Sequence, residues 1–138
     1  MAKFGPEVLK LRDAQAEANR IATEMRDAVR GFRRRGGVVG LSGGIDPTVV
    51  AALALRAFGP SGVLGIQMPE VDSSEDTIEL STMVATTLGI PSVLEDVTPI
   101  LIGAGAYERR DEAIKRVIPE YGAGWKVKLV LPSVIESD

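Results

Sequence analysis

Gly37-Val38-Val39-Gly40-Leu41-Ser42-Gly43-Gly44-Ile45-Asp46-Pro47-Thr48-Val49-Val50 decides how the rest of this chain is read. A short β-branched run, Val38 and Val39 with Leu41 behind them, enters Ser42-Gly43-Gly44. An acid, Asp46, stands where a helical pattern of Val49, Val50, Leu53 and Ala54 takes over. Adjacent glycines allow positive φ and close backbone approach, and the N–H groups of the turn and the first helical residues then face an anion. Strand, loop and helix start together predict a nucleotide phosphate site, with a plain glycine turn between strand and helix as the alternative.

The loop lacks the Gly-Lys-Ser/Thr ending of the ATPase phosphate loop and the G-x-G-x-x-G spacing of dinucleotide folds. It resembles the Ser-Gly-Gly-x-Asp-Ser loop of the ATP pyrophosphatase superfamily in five of six positions, with Pro47 in place of the last serine. That exchange removes a hydroxyl and a backbone N–H. Proline suits the first turn of a helix, with Asp46 as the expected N-cap, and Thr48 offers a substitute hydroxyl.

The chain has 138 residues, 45% hydrophobic and 25% charged, enough for one globular domain with a core. It has no cysteine and no histidine, so disulfides, thiolate chemistry and imidazole acid–base catalysis are excluded, and a metal would need oxygen ligands. Magnesium carried by a nucleotide fits that requirement. No membrane span and no signal-peptide core are expected, which places the protein in the cytoplasm.

Charge is uneven: residues 1–36 hold nine Lys/Arg against five Asp/Glu, and residues 37–138 hold seven against fourteen. Arg33-Arg34-Arg35 is read as a solvated cluster beside helix carbonyls rather than a nucleic-acid patch, because only Phe32 lies next to it. No nucleic-acid or membrane partner is expected. Leu11, Ala14, Ala18, Ile21, Met25, Ala28 and Phe32 recur at spacings of three and four, which predicts one long amphipathic helix from Pro6 to about Arg34. Its stripe packs either on its own domain or against a second copy in a homodimer.

After the loop, Pro47 to Phe58 is expected to be a helix ended by Gly59-Pro60, and Gly62 to Met68 a buried parallel strand. Asp72 to Asp76 supplies N-cap candidates for a helix whose inner face is Leu80, Val84 and Leu88, stopped by Gly89 and Pro91. Ser92 to Glu95 is a short third strand. Alternating strands and helices predict an α/β, Rossmann-like doubly wound parallel sheet, incomplete at three strands, with the ligand beyond their carboxyl ends. There Gln67, Met68, Pro69 and Glu70 offer main-chain groups for an adenine edge and Met68 for its ring, or simply core packing. Glu70 and Asp72 either reach a metal or cap the next helix. Tyr107 to Lys128 reads either as a dinucleotide or subunit contact, or as a surface helix with Ala113, Ile114, Val117 and Ile118 inward followed by a Val127-Leu129-Leu131 strand. Trp125 either stacks a base or packs.

From Val63 onward Leu-Gly-Ile-Gln-Met-Pro-Glu-Val-Asp-Ser-Ser, Leu-Gly-Ile-Pro, Glu-Asp-Val-Thr-Pro, Tyr-Glu-Arg-Arg-Asp-Glu-Ala-Ile and Pro-Glu-Tyr-Gly-Ala-Gly-Trp-Lys follow in order. With the loop, these words resemble a branch of the NAD(+) synthase family from about Gly37 to Asp138. The resemblance implies adenylation of the deamido-NAD carboxylate by ATP, release of pyrophosphate, and amidation by ammonia with release of AMP. It implies that Gly40, Leu41, Ser42, Gly43, Gly44, Ile45, Asp46, Pro47 and Thr48 form the ATP loop, joined by Met68, and that Asp46 contacts magnesium. No catalytic side chain is assigned. The family continues through roughly another hundred or more residues, a common domain length, which hold its second magnesium acid and its substrate lysines. The expectation is therefore a single ATP-binding domain over 1–138, truncated relative to the family, with residues 1–36 as its N-terminal helix. Another amide-forming ATP pyrophosphatase, or a degenerate nucleotide-binding or assembly domain, are the alternatives.

Overall fold

The computed structural model describes residues 10–125 and 127. The chain forms two compact units, Met1–Thr98 and Pro99–Asp138. In the first, α1 (Ala14–Gly31), β1 (Gly37–Gly40), α2 (Ile45–Phe58), β2 (Val63–Gln67), α3 (Glu75–Leu88) and β3 (Ser92–Leu94) alternate, with a 3-10 turn at Pro60–Gly62 before β2. The three strands are parallel in the order β1-β2-β3. This is the expected Rossmann-like α/β arrangement.

Register sorts the sheet into two faces, because partners in a parallel ladder project to the same side. Val39 is opposite Gly65, and Gly37 opposite Val63; this is the buried face. Helices α2 and α3 pack on the sheet and on each other. Ala51, Ala54 and Ala57 line the buried side of α2, and such small side chains let the helix lie close to the strands. Val39, Leu41, Val63, Ala85 and Ile90 complete the core, with Met25, Leu55, Phe58, Val84 and Leu88 around it.

Helix α1 is shorter than its stripe predicts. It starts at Ala14, where the Asp13 carboxylate accepts the N–H groups of Gln15 and Ala16 at 2.9 Å each, so Leu11 lies before the helix and is exposed. The predicted turns at Pro6 to Leu9 lie outside the described residues. The inward line is Ala18, Ala22 and Met25, and Phe32 at the far end of the stripe is 78% exposed. Helix α1 packs on α2 of its own unit. Arg26 Nε donates to the Ala57 carbonyl and Arg56 Nε to Asn19 Oδ1, both at 2.8 Å.

In α3 the buried residues are Ser81 and Ala85 rather than Leu80, which is 43% exposed. The predicted line of Leu80, Val84 and Leu88 is therefore rotated toward Ser81, whose hydroxyl is satisfied by the Ile78 carbonyl at 3.0 Å.

A helix that the alternating pattern does not announce, α4 (Thr98–Gly103), follows β3, and α5 (Ala106–Lys115) follows it. Of the residues expected to face inward beyond Tyr107, Ile114 and Ile118 are half-buried, while Ala113 is exposed and Val117 is 82% exposed. The helix has ended at Lys115, so Val117 no longer sits on its face. Tyr121 is buried, and Trp125 meets it edge to face with ring centroids 6.3 Å apart. Trp125 is 49% exposed, and the contact gives one edge of its ring a packing partner. The Arg110 guanidinium lies over the Tyr107 ring, 5.1 Å from its centroid. Val127 is not in a strand, and Leu129 and Leu131 lie outside the described residues.

Candidate functional site at the phosphate loop

Leu41 leaves β1 with its N–H donating to the Ile66 carbonyl at 2.8 Å, so the strand is held up to the loop itself. Gly43 then takes φ +76°, and a Cβ there would lie 2.5 Å from Leu80 Cβ and 3.1 Å from the Ser81 nitrogen. Glycine is thus required at 43 for its dihedral and for the close approach of α3. Gly44 is different. Its φ of −73° is open to any residue, and it serves as the N-cap of α2.

Two sequence expectations change here. Helix α2 begins at Ile45, two residues before Pro47, and Gly44 rather than Asp46 is its N-cap. Asp46 sits in the first turn, where a negative charge is favoured by the helix dipole. Pro47 costs the helix no hydrogen bond, because the first intrahelical donor is the Thr48 N–H, bonded to the Gly44 carbonyl at 3.3 Å. What Pro47 removes is one outward-facing donor. The N–H groups of Ile45 and Asp46 remain, and that of Gly44 makes only a long 3.5 Å contact with Ser42 Oγ. The Thr48 hydroxyl, the expected substitute for the missing serine, donates to the Gly44 carbonyl at 2.7 Å, so its proton is engaged in the helix.

Beside the loop lies a cavity of about 150 Å³ lined by Leu41, Ser42, Gln67, Met68, Pro69, Ser73, Thr77, Ile78 and Ser81. It is smaller than the roughly 300–1,000 Å³ of common ligand pockets. The structure brings Leu41, Ser42 and Met68 to it, while Ile45 and Asp46 stand exposed on the first turn of α2. A Cβ at Gly40 would be 3.5 Å from Met68 Cε, so the methionine lies across the end of β1 and is half-exposed.

The main-chain groups at the end of β2 are partly used. The Gln67 carbonyl accepts the Glu95 N–H at 2.8 Å, and the Pro69 carbonyl accepts the Val97 N–H at 3.0 Å. Glu70 accepts the Asp72 N–H at 3.0 Å in the turn before α3, whose N-cap is Ser74, so neither acid caps that helix. The sequence analysis gives Gln67 main-chain groups only; its buried side chain, a role not foreseen there, donates to Thr82 Oγ1 at 3.0 Å and ties β2 to α3 beside the cavity. An uncharged polar residue ending an otherwise apolar strand was its only signal.

The Asp46 carboxylate makes no hydrogen bond or ion pair among the described residues. Those residues contain no group of three or more metal-ligating side chains. One free carboxylate by itself does not make a protein-only metal cage.

A family model for NAD synthase matches residues 17–117. An NH(3)-dependent NAD(+) synthetase of Mesorhizobium japonicum is 55% identical over 127 residues, 91% of this chain and 40% of the relative. One from Rhizobium meliloti is 44% identical over 135 residues, 98% of this chain and again 40% of the relative. The chain therefore spans about 40% of the length of these curated relatives. Among solved structures, an NH3-dependent NAD synthetase of Campylobacter jejuni, in complex with nitrate, superposes with TM-score 0.61 at 27% identity, over 72% of this chain and 42% of that one. Matched over most of its length by the family model and by close relatives, the chain belongs to the NAD synthase family.

Proposed function

We propose that this chain is the ATP-activating part of an ammonia-dependent NAD(+) synthase, a ligase of NAD biosynthesis. The observation that carries the reading is the loop: a Gly43 turn, unbonded N–H groups at Ile45 and Asp46, and the free Asp46 carboxylate, all at the carboxyl end of β1. In the reaction a deamido-NAD carboxylate oxygen bonds to the α-phosphorus of ATP as the bond to the bridging oxygen breaks, and pyrophosphate leaves with that electron pair. Ammonia then bonds to the acyl carbon, AMP leaves, and a proton passes to solvent. The loop N–H groups hold the leaving pyrophosphate as its charge builds, and no side-chain acid or base is needed for that. Magnesium, when bound, neutralises pyrophosphate charge, and Asp46 is the residue that would hold it. Met68 and the adjoining cavity take the adenine.

No helix among the described residues is long and apolar enough to cross a membrane, and the reading places the reaction in the cytoplasm. Val49, Val50 and Met83 leave an exposed apolar surface on α2 and α3 that a second copy would cover, so the working form is a homodimer. Sedimentation tests this; a monomer at all concentrations removes it.

Pro47 favours a second reading, a member that binds nucleotide without completing the reaction. Calorimetric titration with Mg-ATP separates the two when combined with an assay for AMP, pyrophosphate and NAD. Asp46→Ala should weaken Mg-ATP about tenfold, or about 1.4 kcal/mol. Gly44→Ala should alter folding stability by about 1 kcal/mol or less but weaken ATP. Pro47→Ser restores the missing N–H and should tighten ATP. Binding unchanged in all three variants would remove the loop from the site.

A further inference from the structure

Gln67 ends β2 as a polar side chain in the core, 5% exposed, and the protein uses only part of its amide. Nε2 donates to Thr82 Oγ1 on α3 at 3.0 Å, whereas Oε1 accepts no hydrogen bond among the described residues. No side-chain nitrogen or oxygen among those residues is both sealed off and unpaired, so Oε1 is open, and the space that Gln67 lines is the cavity beside the phosphate loop. Thr82 is not part of the cavity wall, so its bond holds the amide from the helix side and leaves the acceptor to the cavity. The neighbouring hydroxyls are already engaged. Ser73 Oγ accepts the Glu70 N–H at 3.0 Å, Thr77 Oγ1 bonds Ser74 Oγ at 2.9 Å, and Ser81 Oγ donates to the Ile78 carbonyl at 3.0 Å. A carboxamide has two donor hydrogens and an acceptor oxygen; with one hydrogen given to Thr82, one donor and the acceptor remain. Unused capacity on so buried an amide is costly unless a ligand meets it.

We infer that the Gln67 side chain selects the base of the bound nucleotide, with Oε1 accepting from the exocyclic amine of a 6-aminopurine. This rests on the reading of the cavity as the adenine seat and adds the group that tells one purine from another. Adenine presents its amine hydrogens beside a ring-nitrogen acceptor, a pattern that a glutamine amide can meet with both of its polar atoms. A 6-oxopurine presents an oxygen in the same place. Its lone pairs would face those of Oε1, and both oxygens would lose water without gaining a partner. Met68 offers an apolar surface that any purine ring satisfies, so the choice of base falls to Gln67. Thr82 acts through Gln67 and is a positioning residue.

The test compares Mg-ATP with Mg-ITP, in which an oxo group replaces the amine, by calorimetric titration of the full chain. ATP is expected to bind about tenfold tighter or more. Gln67→Met keeps the length of the side chain without its amide, so it should weaken ATP about tenfold and leave ITP within about twofold. A thermal melt confirms that the variant folds. Should it not fold, the wild-type ratio is read together with the Gln67 side-chain amide resonances of nitrogen-15-labelled chain, which should shift on saturation with Mg-ATP. Four results would overturn the inference: equal affinity of the wild type for ATP and ITP; a preference for ATP that survives Gln67→Met; equal weakening of both nucleotides in that variant, as a purely structural role requires; or amide resonances that stay in place. In all four the wild type still binds ATP, so the nucleotide reading stands. Failure of the wild type to bind either nucleotide would instead refute the nucleotide reading, and base selection by Gln67 would fall with it.

Discussion

Helices α1 and α3 end in the same hydrogen-bonded turn, built from different residues. At the end of α1 the Arg34 N–H reaches the Val29 carbonyl at 3.0 Å and the Arg33 N–H the Arg30 carbonyl at 2.8 Å. At the end of α3 the Ile90 N–H reaches Ala85 and the Gly89 N–H reaches Thr86, both at 3.1 Å. Both turns need one left-handed residue. In α3 it is Gly89, at φ 64°, followed by buried Ile90, which anchors the turn in the core. In α1 it is Arg33, at φ 55°, followed by exposed Arg34. The hydrogen bonds define the turn, whereas the residue in the left-handed position records what else acts there. Next to α3 it is packing. Next to α1 it is positive charge beside the last carbonyls, which offsets part of the backbone strain.

The most severe left-handed position is Gly43, because it adds a clash to an unfavourable dihedral. Gly43→Ala must bear about 1–2 kcal/mol for the conformation and a further 1–3 kcal/mol for displacing α3, so a loss of about 3 kcal/mol is expected in urea unfolding. A loss under about 1 kcal/mol would show that α3 yields freely at Leu80, and Gly43 would then belong with Gly89. Gly89→Ala has open space around it and should cost only the dihedral, about 1 kcal/mol. Arg33→Gly should act in the opposite direction, raising stability by about 0.5 kcal/mol once the lost charge–dipole attraction is deducted from the relieved strain. A destabilised Arg33→Gly variant would mean that the guanidinium contributes more than its backbone costs.

The same contrast explains what could be read from the sequence. Gly43, Gly89 and the β-branched strand runs act locally, so the three strands, the loop and the stop of α3 were legible in order. The phase of a helix depends on what it meets. Leu80 matched the periodic pattern, yet the neighbour at Gly43 turned Ser81 inward and left Leu80 at the rim. Asp46 looked like an N-cap because acids favour that position, but Gly44 already had extended backbone, and the helix started two residues earlier. The engagement of Thr48 with Gly44 and the burial of Gln67 against Thr82 are tertiary or geometric facts with almost no local signal. The start of α4 does have one, an acid two residues before a Thr-Pro pair.

The smallest expected effect belongs to that start, and pH separates it from the other three. The Asp96 carboxylate accepts the Thr98 N–H at 2.8 Å; hydrogen bonding from the Thr98 side chain and then from its backbone holds the carboxyl below its ordinary value of 3.8. Folding therefore favours the ionised form. The contribution is present in full above the ordinary carboxylate range and is lost as the pH falls through the depressed folded value. Asp96 is exposed, so water competes for its charge and the effect is small. Asp96→Asn should accordingly melt slightly lower than the wild type at pH 7, with the difference closing below about pH 3. The shifts from Gly43→Ala, Gly89→Ala and Arg33→Gly have no carboxylate behind them, so each should keep its sign across the same range. If the Asp96→Asn difference persisted undiminished at pH 2.5, about 1.3 units under the ordinary value, the turn would depend on the shape of the side chain rather than its charge. Asp96 would then join Gly43 as a position set by geometry.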